Sequence, residues 1–247
     1  MRQRRGTTPA EPNGVVPSTP ANRNGGRPVR ALSHKQIARL SVYRRLLELR
    51  VAGDPGAIYS HHLAALCGAT AAQVRRDLMT IGFTGSPARG YDVAQLIAAL
   101  NRRLDAPQGQ FAALAGVGNL GRALLDYFAT RRPSLRIAAA FDVDPSKVNR
   151  VIHGCRVHPL SDLERIVREQ GITVGVITVP AESAQRVAEG MLEAGIRGFL
   201  NFAPAPLRLP ASAYIEEMDI TASMEKVAYF ARLLAGGRGR QDEHHVH

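Results

Sequence analysis

The 247-residue chain has no tryptophan, two cysteines and an aromatic content of only 5%. Cys67 and Cys155 stand far apart and outside any metal-ligand spacing, which excludes a disulfide framework and a thiolate metal site. They read as ordinary core thiols of a reducing compartment. No run approaches the roughly 20 apolar residues that cross a bilayer, and the first residues lack the apolar core of a signal peptide. A cytoplasmic protein is expected, long enough for two small domains with cores of their own.

Acidic charge is also scarce. Lys and Arg number 32 against 21 Asp and Glu, a net charge of +11. Residues 1–30 hold six Arg against Glu11, and residues 31–105 hold ten basic against five acidic residues, +5 in each case. Residues 106–247 contribute only +1, sixteen against fifteen. Concentrated cations release counterions from nucleic acid, so this polarity suggests a polyanion-binding module joined to a near-neutral ligand or enzyme domain. A uniformly basic protein is the alternative, and the near-neutral half counts against it.

Residues 1–30 are rich in Pro, Gly, Asn and Arg, with almost nothing apolar to offset ordering entropy, and read as a disordered tail. Helical periodicity begins at 35–50, where Ile37, Leu40, Tyr43, Leu46 and Leu47 share a face. Gly53-Asp54-Pro55-Gly56 stops it. A short helix over 60–66 capped by Ser60, a Gly68-Ala69 turn and a third helix over 71–81 capped by Thr70 follow. Gly82, Gly85, Pro87 and Gly90 punctuate a hairpin-like segment before a helix over 92–104. This is the order of a winged helix-turn-helix.

From Phe111 short apolar runs alternate with helices, the pattern of a parallel α/β sheet. Strands are expected at 111–115, 137–141, 175–179 and 198–202, with a short one between His153 and His158. Helices are expected at 120–130, 161–170 and 183–194, and a last amphipathic helix at 222–234 precedes a frayed polar tail. The expected division is therefore a tail (1–30), a DNA-binding domain (31–105), a Rossmann domain (106–220), a terminal helix (221–236) and a tail (237–247).

Gly116-Val117-Gly118-Asn119-Leu120-Gly121 follows the first apolar strand and opens a helix. In that context the first Gly permits a tight turn, the second lets backbone approach a pyrophosphate, and the third allows close helix packing. The helix N-terminus supplies free N–H groups to the phosphates. Asp142, followed by Val143, ends the next strand, where a carboxylate accepts from ribose hydroxyls and repels a 2′-phosphate. That favours NAD(H) over NADP(H), although Lys147 and Arg150 lie nearby, and Asp142 could instead cap a turn with Asp144-Pro145. Thr178-Val179-Pro180 and Asn201-Phe202-Ala203 end later strands on the edge where ligands bind, and should line the nicotinamide side. Their prolines could equally be strand terminators.

On these residues the chain resembles the Rex family of NADH-responsive repressors over roughly residues 32–234. The series Arg39-Leu40, Tyr43, Arg45, Gln73-Val74-Arg75-Arg76-Asp77-Leu78, Gly90-Tyr91, the glycine motif, Phe141-Asp142-Val143-Asp144-Pro145, Thr178-Val179-Pro180-Ala181, Ala194-Gly195-Ile196, Asn201-Phe202-Ala203-Pro204 and Asp219 occurs in family order. The resemblance implies a homodimer that binds an inverted-repeat operator, responds to NADH and NAD⁺, and exchanges its final helix between subunits. It also implies a switch in which Asp219 pairs alternately with Arg45 and Tyr127. Ser41, Met79, Thr84 and Ala88 depart from the family pattern, at positions that bear on the wing and on operator preference.

Gln73, Arg75 and Arg76 on the third helix are suited to base edges and phosphates, with Ser60, Gly85 and Arg89 as further candidate DNA contacts. A solvated helix face paired with Asp77 is the alternative. A dehydrogenase would need an acid/base group and substrate-binding residues beside the nicotinamide, yet no Tyr-x-x-x-Lys pair occurs and little chain follows Pro210. A CoA-binding Rossmann module would leave the winged helix unexplained. No catalytic residue and no metal site is expected.

Overall fold

The computed structural model describes residues 31–51, 56–86, 88–131 and 134–238. The basic tail, residues 53–55 of the expected helix stop, Pro87 of the expected hairpin-like segment, and the last nine residues lie outside them. The chain forms two compact units that divide between Gln110 and Phe111.

The first unit contains α1 (His34–Val51), β1 (Ala57–Ile58), α2 (Ser60–Cys67), α3 (Ala71–Thr80), β2 (Tyr91–Asp92) and α4 (Val93–Leu104). Its core gathers Leu40, Tyr43 and Leu47 of α1, Leu63 of α2, Val74 and Leu78 of α3, and Leu96 and Leu100 of α4. Ile37, expected on the same face, does not join them: it is 43% exposed. Gly68 adopts φ +66, and its N–H closes α2 on the carbonyl of Ala64. Thr70 caps α3 by accepting from the Gln73 N–H at 3.1 Å, as expected. Ser60 is not a cap. Tyr59 occupies that position without a side-chain bond, and the Ser60 hydroxyl turns to Arg75 instead.

The wing is an antiparallel pairing of Ala57 with Asp92 and Ile58 with Tyr91, extended by a bridge between Ser86 and Gly90. Tyr59 fastens it by donating from its hydroxyl to the carbonyl of Ala88 at 3.0 Å. Arg44, buried in α1, pairs with Asp105 at 2.6 Å and so ties α1 to the end of α4.

The second unit begins with β3 (Gln110–Ala115), α5 (Asn119–Arg131), β4 (Leu135–Asp142), β5 (Val151–Ile152) and β6 (Cys155–Pro159). A 3₁₀ turn (Leu160–Asp162) leads to α6 (Leu163–Glu169), β7 (Val174–Ile177), α7 (Ala181–Glu193), β8 (Gly198–Asn201), β9 (Tyr214–Glu217) and α8 (Ile220–Arg238). The sheet order is β5-β6-β4-β3-β7-β8-β9, and parallel pairing is recorded for β4 with β6, β3 with β7, β7 with β8 and β8 with β9. Without β5, which pairs antiparallel on the edge, this is the doubly wound 3-2-1-4-5-6 order of a Rossmann fold. Strand alternation fills both faces: Ala113 and Ala115 join Ile177, Val187 and Met191 on one side, while Ala112 and Leu114 join Leu125, Val157 and Val176 on the other.

The α8 helix carries Met224, Val227, Tyr229, Phe230, Leu233 and Leu234, each more than half exposed. Among the described residues no helix is long and apolar enough to cross a membrane.

Candidate cofactor cleft and nucleic-acid face

Chain order reverses between β3 and β7, and the strands leave a crevice at their C-terminal ends there. The cleft at that switch point has a volume of about 560 Å³. Gly116, Gly118, Leu120, Asp142, Val143, Thr178, Val179, Pro180 and Phe202 line it, all singled out by the sequence. Asp144 and Lys147, read in the sequence as neighbours of Asp142, line it too, as do Ser183 and Arg186, which were not singled out.

The three glycines serve three separate purposes. Gly116 sits at φ +94, and a Cβ there would meet the Thr178 carbonyl oxygen at 2.8 Å. A Cβ on Gly121 would stand 2.1 Å from the Gly116 carbonyl oxygen, so only glycine lets α5 come this close to the loop. Gly118 has nothing within 4 Å of its Cβ position. Its missing side chain leaves open cleft, which is what a pyrophosphate approaching the backbone and the α5 N-terminus requires. Thr178 closes the switch point: its hydroxyl donates between the carbonyls of Ala115 (2.9 Å) and Gly116 (2.7 Å).

Asp142 lies almost wholly within the protein, and its two oxygens are differently engaged. One accepts the Val117 N–H at 2.7 Å and lies 3.3 Å from the Lys147 ammonium, and the other accepts the Asp144 N–H at 2.9 Å. Burial works to raise the pKa of this carboxyl, but the Asp144 and Val117 N–H groups and then Lys147 outweigh it and hold it below the ordinary carboxylate range. The turn cap considered as the alternative for Asp142 is thus present, in its acceptance of the Asp144 N–H. Lys147 also reaches Asp144 at 3.4 Å, so that the two carboxylates and this ammonium together carry one net negative charge.

Val117, Asn119, Asn201 and Ala203 are not among the residues that line the cleft. Val117 is fully buried, and Asn119 is exposed at the start of α5. The buried Asn201 donates to the Ala205 carbonyl (2.8 Å) and to Glu217 (2.6 Å) and accepts from the Ala203 N–H (3.0 Å). It braces the end of β8 against β9. Cys155 is buried, which pushes its thiol up to about 11, so the thiol stays protonated and unreactive.

In the first unit, Ala72, Arg75, Arg76, Met79 and Thr80 line a shallow concavity on the outer face of α3. Asp77 points the other way, fully buried. Arg39 grips it with two nitrogens at 2.6 and 2.8 Å, the Tyr43 hydroxyl donates to it at 3.0 Å, and the Gln73 amide donates at 2.9 Å. Burial opposes ionisation of Asp77, but the Arg39, Tyr43 and Gln73 hydrogen bonds prevail and lower its pKa. Asp77 therefore pairs with Arg39 rather than with Arg75 or Arg76, against the alternative of a self-paired surface face. Arg75 instead donates to Ser60 at 3.0 Å. Arg89 is exposed in the wing. Gly85 has a packing role, since a Cβ would lie 2.5 Å from the Tyr91 ring.

The three switch candidates are divided between the units. Arg45 is exposed on α1 in the first; in the second, Tyr127 is half exposed on α5 beneath the Arg131 guanidinium, 4.5 Å from the ring centroid. Asp219 caps α8 by accepting the Ala222 N–H at 2.7 Å.

Residues 110–205 match the family described as a CoA binding domain, and residues 31–78 the one described as a putative DNA-binding protein N-terminus. The chain is 38% identical over 194 residues to a redox-sensing transcriptional repressor Rex of Syntrophobacter fumaroxidans, covering 78% of this chain and 92% of that one. It is 32% identical over 223 residues to the Rex of Streptomyces coelicolor, covering 90% of this chain and 84% of that one. Among solved structures it is similar to RSP in complex with β-NAD⁺ and operator DNA (TM-score 0.76, 27% identity, 87% of this chain and 99% of that one). RSP in complex with β-NADH gives a TM-score of 0.74 at 28% identity, over 86% of this chain and 99% of that one. With a winged helix-turn-helix, a Rossmann sheet and this identity along almost the whole length of its relatives, the chain belongs to the Rex family of redox-sensing transcriptional repressors.

Proposed function

We propose that this chain is an NADH-responsive repressor: residues 31–105 bind an inverted-repeat operator, residues 106–220 bind NAD(H), and NADH binding releases the DNA. The observation that carries the cofactor half is that the open space at Gly118 and the Asp142 carboxylate belong to one cleft at the switch point. The backbone from Gly116 to Asn119, with the α5 N-terminus, would hold the pyrophosphate, and Asp142 the ribose hydroxyls. Thr178, Val179, Pro180 and Phe202 would face the nicotinamide, which is the part that differs between NADH and NAD⁺. The net negative Asp142-Asp144-Lys147 cluster favours NAD(H) over a cofactor with a 2′-phosphate.

For the DNA half, the outward Arg75 and Arg76, the wing residue Arg89 and the α2 residue Ser60 supply phosphate and base contacts. The apolar exposed face of α8 supports a homodimer in which residues 221–236 pack on the second copy, and a DNA-binding regulator of this kind works in the bacterial cytoplasm. Coupling requires that NADH bind one arrangement of the dimer more tightly than the DNA-competent one, since equal affinity shifts nothing. Asp219, Arg45 and Tyr127 are the groups whose pairing would differ between the two. The competing dehydrogenase reading is not favoured, because the relatives are described as repressors.

The test is fluorescence anisotropy on an inverted-repeat duplex selected against the protein, titrated with NADH and with NAD⁺. Release by NADH with little response to NAD⁺ is expected. Turnover of NADH with a carbonyl compound, or DNA affinity indifferent to both cofactors, overturns the reading.

A further inference from the structure

The outer face of α3 is chemically divided. Positions 72, 76, 79 and 80 share one face, spaced by about one and two helical turns. Two of the groups around the concavity are guanidinium groups, those of Arg75 and Arg76. The rest present carbon and sulfur. Ala72 has only its methyl, and Met79 is 66% exposed. Thr80 donates its hydroxyl back to the Arg76 carbonyl at 2.9 Å, so that its polar group is engaged by its own helix. The amide that could have read adenine, Gln73, donates to the buried Asp77 at the flank of this face.

The exposed Met79 thioether thus stands beside two guanidinium groups, and it is not covered by the described residues of its own unit. The major groove of DNA offers the complementary surface: phosphates for the arginines, and the thymine C5-methyl as its apolar feature. We propose that Met79, flanked by Ala72 and Thr80, reads thymine through that methyl and is a specificity-determining residue of operator recognition. The inference rests on the DNA-binding reading above, and adds which base is recognised and by which side chain.

Deoxyuridine removes the methyl and leaves every hydrogen-bonding group of thymine in place. A duplex selected from a random library on the full chain is remade with single thymine-to-deoxyuridine replacements, and each is titrated by anisotropy. At one or two positions per half-site the replacement should weaken binding about four-fold, the factor that corresponds to about 0.8 kcal/mol for one buried methyl-sized group. Met79→Ser should bind the thymine and uracil duplexes equally at one of those positions, while Met79→Leu keeps the discrimination. Met79 is exposed, so unchanged thermal unfolding of both variants is expected. Indifference of the wild type to every replacement, or a penalty that survives in full in Met79→Ser, overturns the assignment while leaving DNA binding intact. Failure of the chain to select any duplex overturns both.

Discussion

The Val117 backbone N–H donates to the Asp142 carboxylate at 2.7 Å, so the glycine loop after β3 and the acid at the end of β4 form one rigid corner of the cleft. Asp142→Asn keeps the shape but replaces one accepting oxygen by a donor. It should cost about 1.5–3 kcal/mol of stability, the value of hydrogen bonds to a charged group, and weaken NADH binding at least ten-fold by calorimetry. The folded pKa is depressed, so the stabilisation is fully present above the ordinary carboxylate range and is lost as pH falls below about 4. Urea midpoints of wild type and variant should therefore differ at pH 7 and converge in acid.

Two glycines of the same motif should fail in opposite ways. Gly118→Val places carbon in open cleft, leaving thermal unfolding unchanged and abolishing NADH binding. Gly121→Ala forces a Cβ against the Gly116 carbonyl oxygen and should lower the unfolding temperature before any ligand is added. A well-folded Gly121→Ala protein with normal NADH affinity would contradict the packing role.

In the first unit, Asp77→Ala leaves Arg39 without its carboxylate and breaks the link from α1 to α3. Removing one partner of a buried ion pair costs about 3–5 kcal/mol. Arg39 keeps part of its exposure, so the lower end is expected. Hydrogen exchange should show the loss in α1 and α3 while the sheet strands keep their protection. The lowered pKa of Asp77 again confines this contribution to pH above about 4.

The cap on α8 refines the test of the proposed switch. Asp219→Asn preserves an N-cap and removes the charge, whereas Asp219→Ala removes both, at a cost of about 0.5–2 kcal/mol. If charge exchange drives release, Asn should bind NADH normally and lose most of the NADH effect on operator affinity. Full coupling in Asn with loss in Ala would assign Asp219 to helix capping alone.

The parts of this molecule that were legible in the sequence are those where one residue type admits one geometry. The glycine loop, the strand before it and the acid 21 residues beyond Gly121 could be placed because φ +94 at Gly116 and the tight approach at Gly121 exclude other residues. Thr70 was legible because a hydroxyl directly before a helical run is a common N-cap, and it accepts the Gln73 N–H. Ser60 was not, because its suitability as a cap says nothing of Arg75, fifteen residues on, which claims its hydroxyl. The strand β9 carries no alternation, since Tyr214-Ile215-Glu216-Glu217 lies at a sheet edge with one half-buried side chain. Ser183 and Arg186 reach the cleft from α7, and local sequence bears no mark of that. Gln73 was readable as a helix-face amide, but its orientation is set by a carboxylate whose burial depends on α1.

The uncovered apolar face of α8 has a genetic consequence once a second copy is what covers it. A cell carrying two alleles would then build mixed particles, and a copy with ruined α3 arginines would withdraw sound copies from the operator. Such an allele is expected to be dominant, while one cut before Ile220 could not capture its neighbours and would be recessive. The strength of the dominance, scored as derepression against allele dosage, reports how completely α8 commits each chain to another.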